Sequence, residues 1–246
     1  MLLIDIGNSR IKWALAEEGQ NELDVYADEY LQDNMAASMQ GFFADIQPCN
    51  VWVSCVAGDK ISQQLEQWFE QNWSVKASFA HTSRRCMGVT NAYEQVDTLG
   101  VDRWLAMLAA YSIYQQAVCV IDCGTAVTLD LLDHNGIHQG GLIMPGLQLM
   151  QRSLQAETSA IEKATIKDAL LASDTASAVG NGCLQLWRKG LRSIYEDLAR
   201  SFDEDLLCVI TGGDGKRLAA EFNSYEYRAD LVLCGLHLMA RHSETL

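Results

Sequence analysis

The sequence predicts an α/β protein built from two similar halves, and three observations carry that expectation. An apolar-Asp-x-Gly pattern occurs twice, as Leu3-Ile4-Asp5-Ile6-Gly7-Asn8-Ser9 and as Val120-Ile121-Asp122-Cys123-Gly124-Thr125. A second turn residue follows each Asp at the same spacing, Gly19 after Asp5 and Gly136 after Asp122, so each copy reads as strand, tight turn, strand, turn. Downstream, continuous apolar runs bounded by polar turns alternate with segments of helical period, the mark of buried parallel strands joined by helices.

A chain of 246 residues could form one large domain or two smaller ones, and the repeat favours two, residues 1–115 and residues 116–246. With 49% hydrophobic and 20% charged residues it has the balance of an ordinary soluble globular protein. The net charge of −14 argues against a nucleic-acid partner, because neutralising phosphates needs clustered Lys and Arg. Backbone amides and one or two cations can still bind an anion locally. None of the eight cysteines forms Cys-x-x-Cys, and they read as buried thiols in a reducing compartment. The N-terminus reaches Asp5 without a basic region, which argues against a usual signal peptide, and no uncharged run approaches the length of a membrane span. The expected location is the cytoplasm.

After the first hairpin, residues 23–30 supply a third strand and 34–44 a short helix ended by Pro48. Residues 50–56 form a buried strand, 60–71 an amphipathic helix and 75–80 another strand. Three strands followed by helix, strand, helix, strand is the order of a ribonuclease-H-like domain. Residues 81–98 are irregular and long for a plain connector, so they are expected to line a site; an apolar helix over 101–115 then closes the first half. The second half restarts at Ala117 with the repeat hairpin, whose Asn135-Gly136 is a tight-turn signal, and a third strand covers 139–144. Pro145-Gly146 ends that strand and 147–154 begins a helix. Residues 175–200 read as one long helix, or two with a break near Gly180 and Gly182. A strand over 206–211, a glycine-rich turn, a helix over 216–222 and a last helix over 230–241 complete the chain.

A carboxylate at a strand tip, beside amides that Gly and small hydroxyl residues leave uncovered, can hold a metal ion while the turn cradles phosphate oxygens. Asp and Gly also form turns without any chemistry, but two copies at equal spacing favour the chemical reading. No Gly-x-x-x-x-Gly-Lys-Ser/Thr occurs, so phosphate binding falls to the hairpins. Gly100-Val101-Asp102-Arg103 opens a helix. There Asp102 could merely complement the helix dipole with Arg103 solvated, or the helix start could hold an anionic substrate. Thr211-Gly212-Gly213-Asp214-Gly215 is either a plain strand-to-helix turn capped by Asp214 or a turn that lets a flat base approach the backbone. The five histidines form no zinc pattern, and His134 and His138, on either side of the Asn-Gly turn, are expected at the surface.

Together with Gly140-Gly141-Leu142-Ile143-Met144-Pro145-Gly146, these segments resemble the type III pantothenate kinases over nearly the whole chain. The resemblance implies two ribonuclease-H-like (actin-like) domains with an ATP cleft between them, as in sugar kinases and chaperone ATPases. It implies ATP-dependent phosphorylation of pantothenate to 4'-phosphopantothenate, the first step of coenzyme A biosynthesis, with Mg2+ accompanying ATP. The first hairpin, Asp5, Ile6, Gly7, Asn8, Ser9, Arg10, Ile11 and Lys12, is then the ATP-phosphate contact, with Lys12 either a point charge on a phosphate or a solvent-facing strand residue. The resemblance assigns Asp122 to a monovalent cation, K+ or NH4+, and Thr125 to the nucleotide; the alternative is that Asp122 bonds only turn amides. It places Tyr93, Gly100, Val101, Asp102 and Arg103 at the substrate, with Asp102 as the base. Thr175 would reach the substrate across a homodimer, or act as a helix N-cap. Two other readings stay open: a non-catalytic regulator of the same fold, and a kinase for another small hydroxy-acid or sugar.

Overall fold

The computed structural model describes all residues except 18–22, 32–33, 159–160, 162, 203–204 and 245–246. The turn expected at Gly19 lies outside the described residues. Strand β1 (Leu2–Ile6) pairs antiparallel with β2 (Arg10–Leu15), and β2 with β3 (Tyr26–Glu29). Helix α1 (Met35–Phe43) starts at Asn34, whose side chain accepts the Ala37 N–H at 3.2 Å. Strand β4 (Val51–Cys55) runs parallel to β1, helix α2 (Asp59–Trp73) follows, and β5 (Ser78–Phe79) completes the order β3-β2-β1-β4-β5. The strand expected over 75–80 shrinks to two residues because only Ser78 and Phe79 find partners on β4.

Residues 81–98 fold into a small hairpin, β6 (Arg85–Cys86) and β7 (Val89–Thr90), and a 3-10 turn, Val96–Thr98. Helix α3 (Val101–Tyr114) follows. The second sheet repeats the plan with β8 (Val118–Cys123), β9 (Ala126–Leu132) and β10 (His138–Pro145), then β11 (Leu207–Thr211) and β12 (Glu226–Tyr227), in the order β10-β9-β8-β11-β12. Its helices are α4 (Leu147–Glu157), α5 (Thr175–Ser201) and α6 (Gly215–Ala219), and α7 (Leu231–Glu244) ends the chain. Helix α5 is continuous for 27 residues. Gly180 does not break it; its missing side chain admits the Thr165 carbonyl, which a Cβ would meet at 2.1 Å.

The chain forms two compact units. One holds Met1–Gln115, Asn135–His138 and Ala229–Leu246, the other Gln116–His134 and Gln139–Arg228. The first unit therefore takes in the hairpin tip and α7, two segments that follow residue 115. In the first unit Leu2, Ile4 and Ile6 pack with Met39, Phe43, Leu65 and Phe69 from α1 and α2. Strand alternation turns Leu3 and Asp5 to the other face, on the side where α7 packs against β1 and β4. Both faces of β1 are thus covered, which is why it reads as an unbroken apolar run. In the second unit Cys119, Ile121 and Cys123 pack with Leu184, Trp187 and Leu191 of α5, so Val118, Val120 and Asp122 face the opposite way.

All eight cysteines are free, and Cys119, Cys123, Cys183 and Cys208 are buried as expected. Cys49 is exposed instead, because it sits in the polar turn after Pro48. Burial pushes the Cys208 thiol up to about 12 and the Cys119 and Cys123 thiols well above the usual range, so they serve as apolar packing. No helix among the described residues is long and apolar enough to cross a membrane.

Helix α7 lies against α3 so closely that a Cβ on Gly235 would come within 2.0 Å of the Leu105 carbonyl oxygen. Gly235→Ala should destabilise the protein by about 1–3 kcal/mol through overpacking, although alanine is the better helix former by about 1 kcal/mol. Gly190→Ala in α5, where an added Cβ meets nothing within 4 Å, should instead stabilise by about 0.5–1 kcal/mol. Urea unfolding of the two variants should give shifts of opposite sign.

Candidate active site

Both motif aspartates sit at the tip of a central strand, and adjacent strands decide what each one meets. Parallel pairing of β1 with β4 puts Ser54 beside Asp5, and the Ser54 hydroxyl donates to Asp5 Oδ1 at 2.9 Å. Antiparallel pairing with β2 puts Lys12 directly opposite Asp5. Asp5 is only 6% exposed and Lys12 is half-buried. Ile6 and Ile11, expected among the phosphate contacts, are fully buried core partners across the hairpin, which leaves only their backbone available. The Gly7 N–H donates to the Arg10 carbonyl at 3.0 Å, and Asn8, Ser9 and Arg10 form an exposed turn.

The second hairpin has the same frame with different side chains. Pairing of β8 with β11 puts Thr211 beside Asp122, where Ser54 stands beside Asp5. The residue opposite Asp122 on β9 is Thr128, where the first hairpin has Lys12. Thr211 is 1% exposed and its hydroxyl makes no hydrogen bond. Gly212, at φ +88°, lets the backbone press against this tip: a Cβ there would lie 2.4 Å from Asp122 Oδ1 and 2.5 Å from the Cys123 carbonyl oxygen. The glycine-rich turn is also tied to β8 by the Asp214 N–H, which donates to that same carbonyl at 3.1 Å. Asp214 occupies the cap position of α6, yet its side chain makes no capping bond. Thr125 is exposed at the tip of the tight turn closed by Gly124.

Gly100 is the N-cap of α3 and has no side chain with which to cap it. Asp102 folds back, its Oδ1 accepting the Arg103 N–H at 2.8 Å, and a Cβ on Gly100 would stand 2.6 Å from that oxygen. Arg103 is not solvated: it is 6% exposed, and its Nη1 donates to the Tyr93 hydroxyl at 2.9 Å, with the guanidinium 5.6 Å from the Tyr93 ring centre. The loop carrying Tyr93 is built for the purpose. Arg84 donates to the Asn91 and Glu94 carbonyls, both at 2.9 Å, while buried Asn91 accepts the Tyr93 N–H at 2.9 Å and donates to the Val96 carbonyl at 3.3 Å. Gly100 and Val101 also border a cavity of ≈ 660 Å³ reaching to Asp59 and Glu66 of α2.

Thr175 is exposed in the second unit and is the first residue of α5, not its cap. The cap is Asp174, which accepts the Ser177 N–H at 2.8 Å and pairs with Lys167 at 2.9 Å. The Ser177 amide, with Lys167 beside it, holds the Asp174 carboxyl down at about 2. The cap therefore persists above the ordinary carboxylate range and is lost only as pH falls from about 4 through about 2. Thr175 borders an apolar groove of ≈ 980 Å³ between α4 and α5, walled by Leu149, Leu154 and Leu186.

The structure thus brings together Gly100, Asp102, Arg103 and Tyr93, and separately Asp5 with Lys12. Ser54, Arg84 and Asn91 carry no local sequence signal and come here through strand register and loop folding, as does the placement of Thr211, of the glycine-rich turn motif, beside Asp122. It also placed His138 at the surface, whereas His138 is 2% exposed. The tight turn before it is held against β7, the Thr90 N–H donating to the Gly136 carbonyl at 2.9 Å, and the Tyr93 ring stacks on the imidazole.

Two α/β units of matching strand order, each with a carboxylate at the tip of its central strand, define the fold of actin-like ATPases and sugar kinases. Solved structures agree. A Campylobacter jejuni chain provisionally described as a Baf family transcriptional activator matches at TM-score 0.65 and 21% identity over the full length of both chains. The Clostridium difficile activator of 2-hydroxyisocaproyl-CoA dehydratase, solved with bound ADPNP, matches at TM-score 0.52 and 12% identity over 99% of this chain and 96% of that one. A family profile described as type III pantothenate kinase matches residues 1–197, and the chain belongs to that family. The type III pantothenate kinase of Nitrosococcus oceani is 37% identical over 98% of this chain and 94% of its own length, and that of Hahella chejuensis 36% identical over 96% and 95%.

The contact between Gly100 and the Asp102 carboxylate generates a prediction. Gly100→Ala should swing that carboxylate away from the Arg103 amide and, if Asp102 orients the acceptor hydroxyl, lower phosphoryl transfer at least about tenfold. Steady-state kinetics at saturating ATP checks this, with circular dichroism to confirm that α3 persists.

Proposed function

We propose that the chain transfers the γ-phosphoryl group of ATP to the primary hydroxyl of pantothenate, with Asp102 orienting that hydroxyl and accepting its proton. The observation that carries this reading is the start of α3, where a half-buried carboxylate and a buried guanidinium stand on consecutive residues. A hydroxy-acid needs that combination: a base for the hydroxyl and a cation for the carboxylate. The Tyr93 hydroxyl accepts from Arg103 and keeps its own proton as a donor to a substrate oxygen. Phosphoryl transfer demands positioning and charge neutralisation rather than covalent chemistry from the protein. Lys12, opposite Asp5, and the exposed turn of Asn8, Ser9 and Arg10 suit ATP phosphates, and Mg2+ enters with the nucleotide.

The second hairpin suits a monovalent cation, K+ or NH4+. Asp122 faces Thr128 where Asp5 faces Lys12, and the buried Thr211 hydroxyl beside it has lone pairs that nothing in the fold uses. Asp122 and Thr211 would hold the ion, which supplies positive charge between a carboxylate and the nucleotide phosphates. Thr125, exposed beside them, is the nucleotide contact.

The groove between α4 and α5 suits a second copy of the chain, since Leu149, Leu154 and Leu186 are exposed there together. Thr175, on its border, then reaches the partner's substrate in a homodimer. The cytoplasm, where ATP is plentiful, is the proposed location. Retention of Asp5, Asp102 and Asp122 favours this enzyme over a non-catalytic regulator.

Two measurements test this reading. Asp102→Asn keeps the size and the helix start, so it should fold normally and lose about 10²–10⁴ of kcat, the range for a general acid or base; turnover near wild type in an ATP-consumption assay with pantothenate would remove Asp102 from the chemistry. For the cation, calorimetry with a non-hydrolysable ATP analogue should show tighter binding in K+ than in Na+ for the wild type. Asp122→Asn should lose that difference, and equal affinities in both salts for the wild type would dismiss the site.

A further inference from the structure

We propose that His138 is a positioning residue for substrate recognition: stacked beneath Tyr93, it fixes the phenol that in turn holds Arg103 at the substrate carboxylate. The two rings lie nearly parallel, 11° apart, with centroids 6.0 Å apart. An offset stack of this kind is attractive beyond simple burial. The Arg103 Nη1 donates to the Tyr93 hydroxyl at 2.9 Å, so His138 and Arg103 both contact the one phenol.

The fold goes to some length to deliver His138 to this position. His138 lies two residues beyond a glycine turn whose tip docks on the small β6–β7 hairpin. Thr90 forms a parallel bridge with Ile137 as well as its hydrogen bond to the Gly136 carbonyl. Gly136 stands at φ +74°, and a Cβ there would lie 2.5 Å from the Gly88 carbonyl and 2.9 Å from the Tyr111 ring. Only glycine permits so close an approach. The same small hairpin leads through Thr90 and Asn91 into Tyr93, so His138 and Tyr93 are referred to one rigid base.

The chemistry follows from the side chains. Arg103 is 6% exposed, and a buried guanidinium is useful only if its fork stays aimed. Tyr93 is half-buried and can rotate about two side-chain bonds, and loop hydrogen bonds fix its backbone but not its ring. A flat neighbour against the ring face removes that freedom. Removing the neighbour should therefore weaken substrate capture while leaving the transfer step, which depends on Asp102, near its normal rate.

This inference rests on the proposed reading of Arg103 and Tyr93 as the carboxylate-binding pair. The test measures kcat and KM for pantothenate, KM for ATP, and thermal unfolding in the full chain carrying His138→Ala or His138→Phe. His138→Ala should raise KM for pantothenate about 3- to 10-fold, the loss of one aromatic pair, with kcat within about twofold and KM for ATP unchanged. His138→Phe keeps a ring against Tyr93 and should restore KM. Adding His138→Ala to Arg103→Ala should cost little more, because both act through Tyr93. An unchanged KM in His138→Ala, kcat falling in step with KM, or failure of His138→Phe to restore KM each overturns the proposal. Should His138→Ala fail to fold, His138→Phe against His138→Leu carries the same test, since leucine fills volume without presenting a ring face. A wild-type chain that does not phosphorylate pantothenate would instead overturn the functional reading itself.

Discussion

Everything in this molecule is arranged around carboxylates placed at the tips of buried strands. A charge taken out of water costs several kcal/mol unless something answers it. The first unit answers from within, with the Ser54 hydroxyl on Asp5 and Lys12 on the facing strand. The second unit repeats the frame and withholds the lysine, and Thr211 stands beside Asp122 without bonding to it. The two hairpins therefore share a backbone frame and differ in the side chains set around the carboxylate.

Close backbone approach sets the second constraint. Gly100, Gly136 and Gly212 each occupy a place where a Cβ would strike a carbonyl, a ring or a carboxylate. At Gly100 and Gly212 the atom struck is an oxygen of Asp102 or Asp122. The glycines therefore act as moulds against which the carboxylates are set, and precision comes from the absence of side chains as much as from their presence. Helix α3 completes this arrangement, since its buried stretch from Val101 to Ala110 anchors the start of the helix in the core.

Much of this was legible in the sequence where chemistry is local. The paired Asp-x-Gly turns, the alternation of strand and helix, and the cluster of Gly100, Asp102 and Arg103 announce themselves through spacing and turn residues. Contacts between distant segments leave no such trace. Ser54 and Thr211 matter because strand register sets them beside an aspartate, and a one-residue slip would have removed both. Arg103 and His138 look like surface residues to any local rule and are buried by loops that fold over them. Thr175 and Asp174 are equally good helix caps by residue type, and only the hydrogen bond to Ser177 separates them. Helix α5 shows the same limit, since Gly180 resembles a break until the Thr165 carbonyl is seen against it.

Helix α7 carries a consequence for how the protein is made. The first unit begins with the first residues of the chain, yet one face of β1 and β4 is covered by a helix at the other end of it. During synthesis the N-terminal sheet must therefore wait, with Leu3 and its neighbours uncovered, while the whole second unit emerges. Domains ordinarily finish in the order in which they are translated. Here the unit that starts first closes last, and the second unit can be complete before the first has its full core.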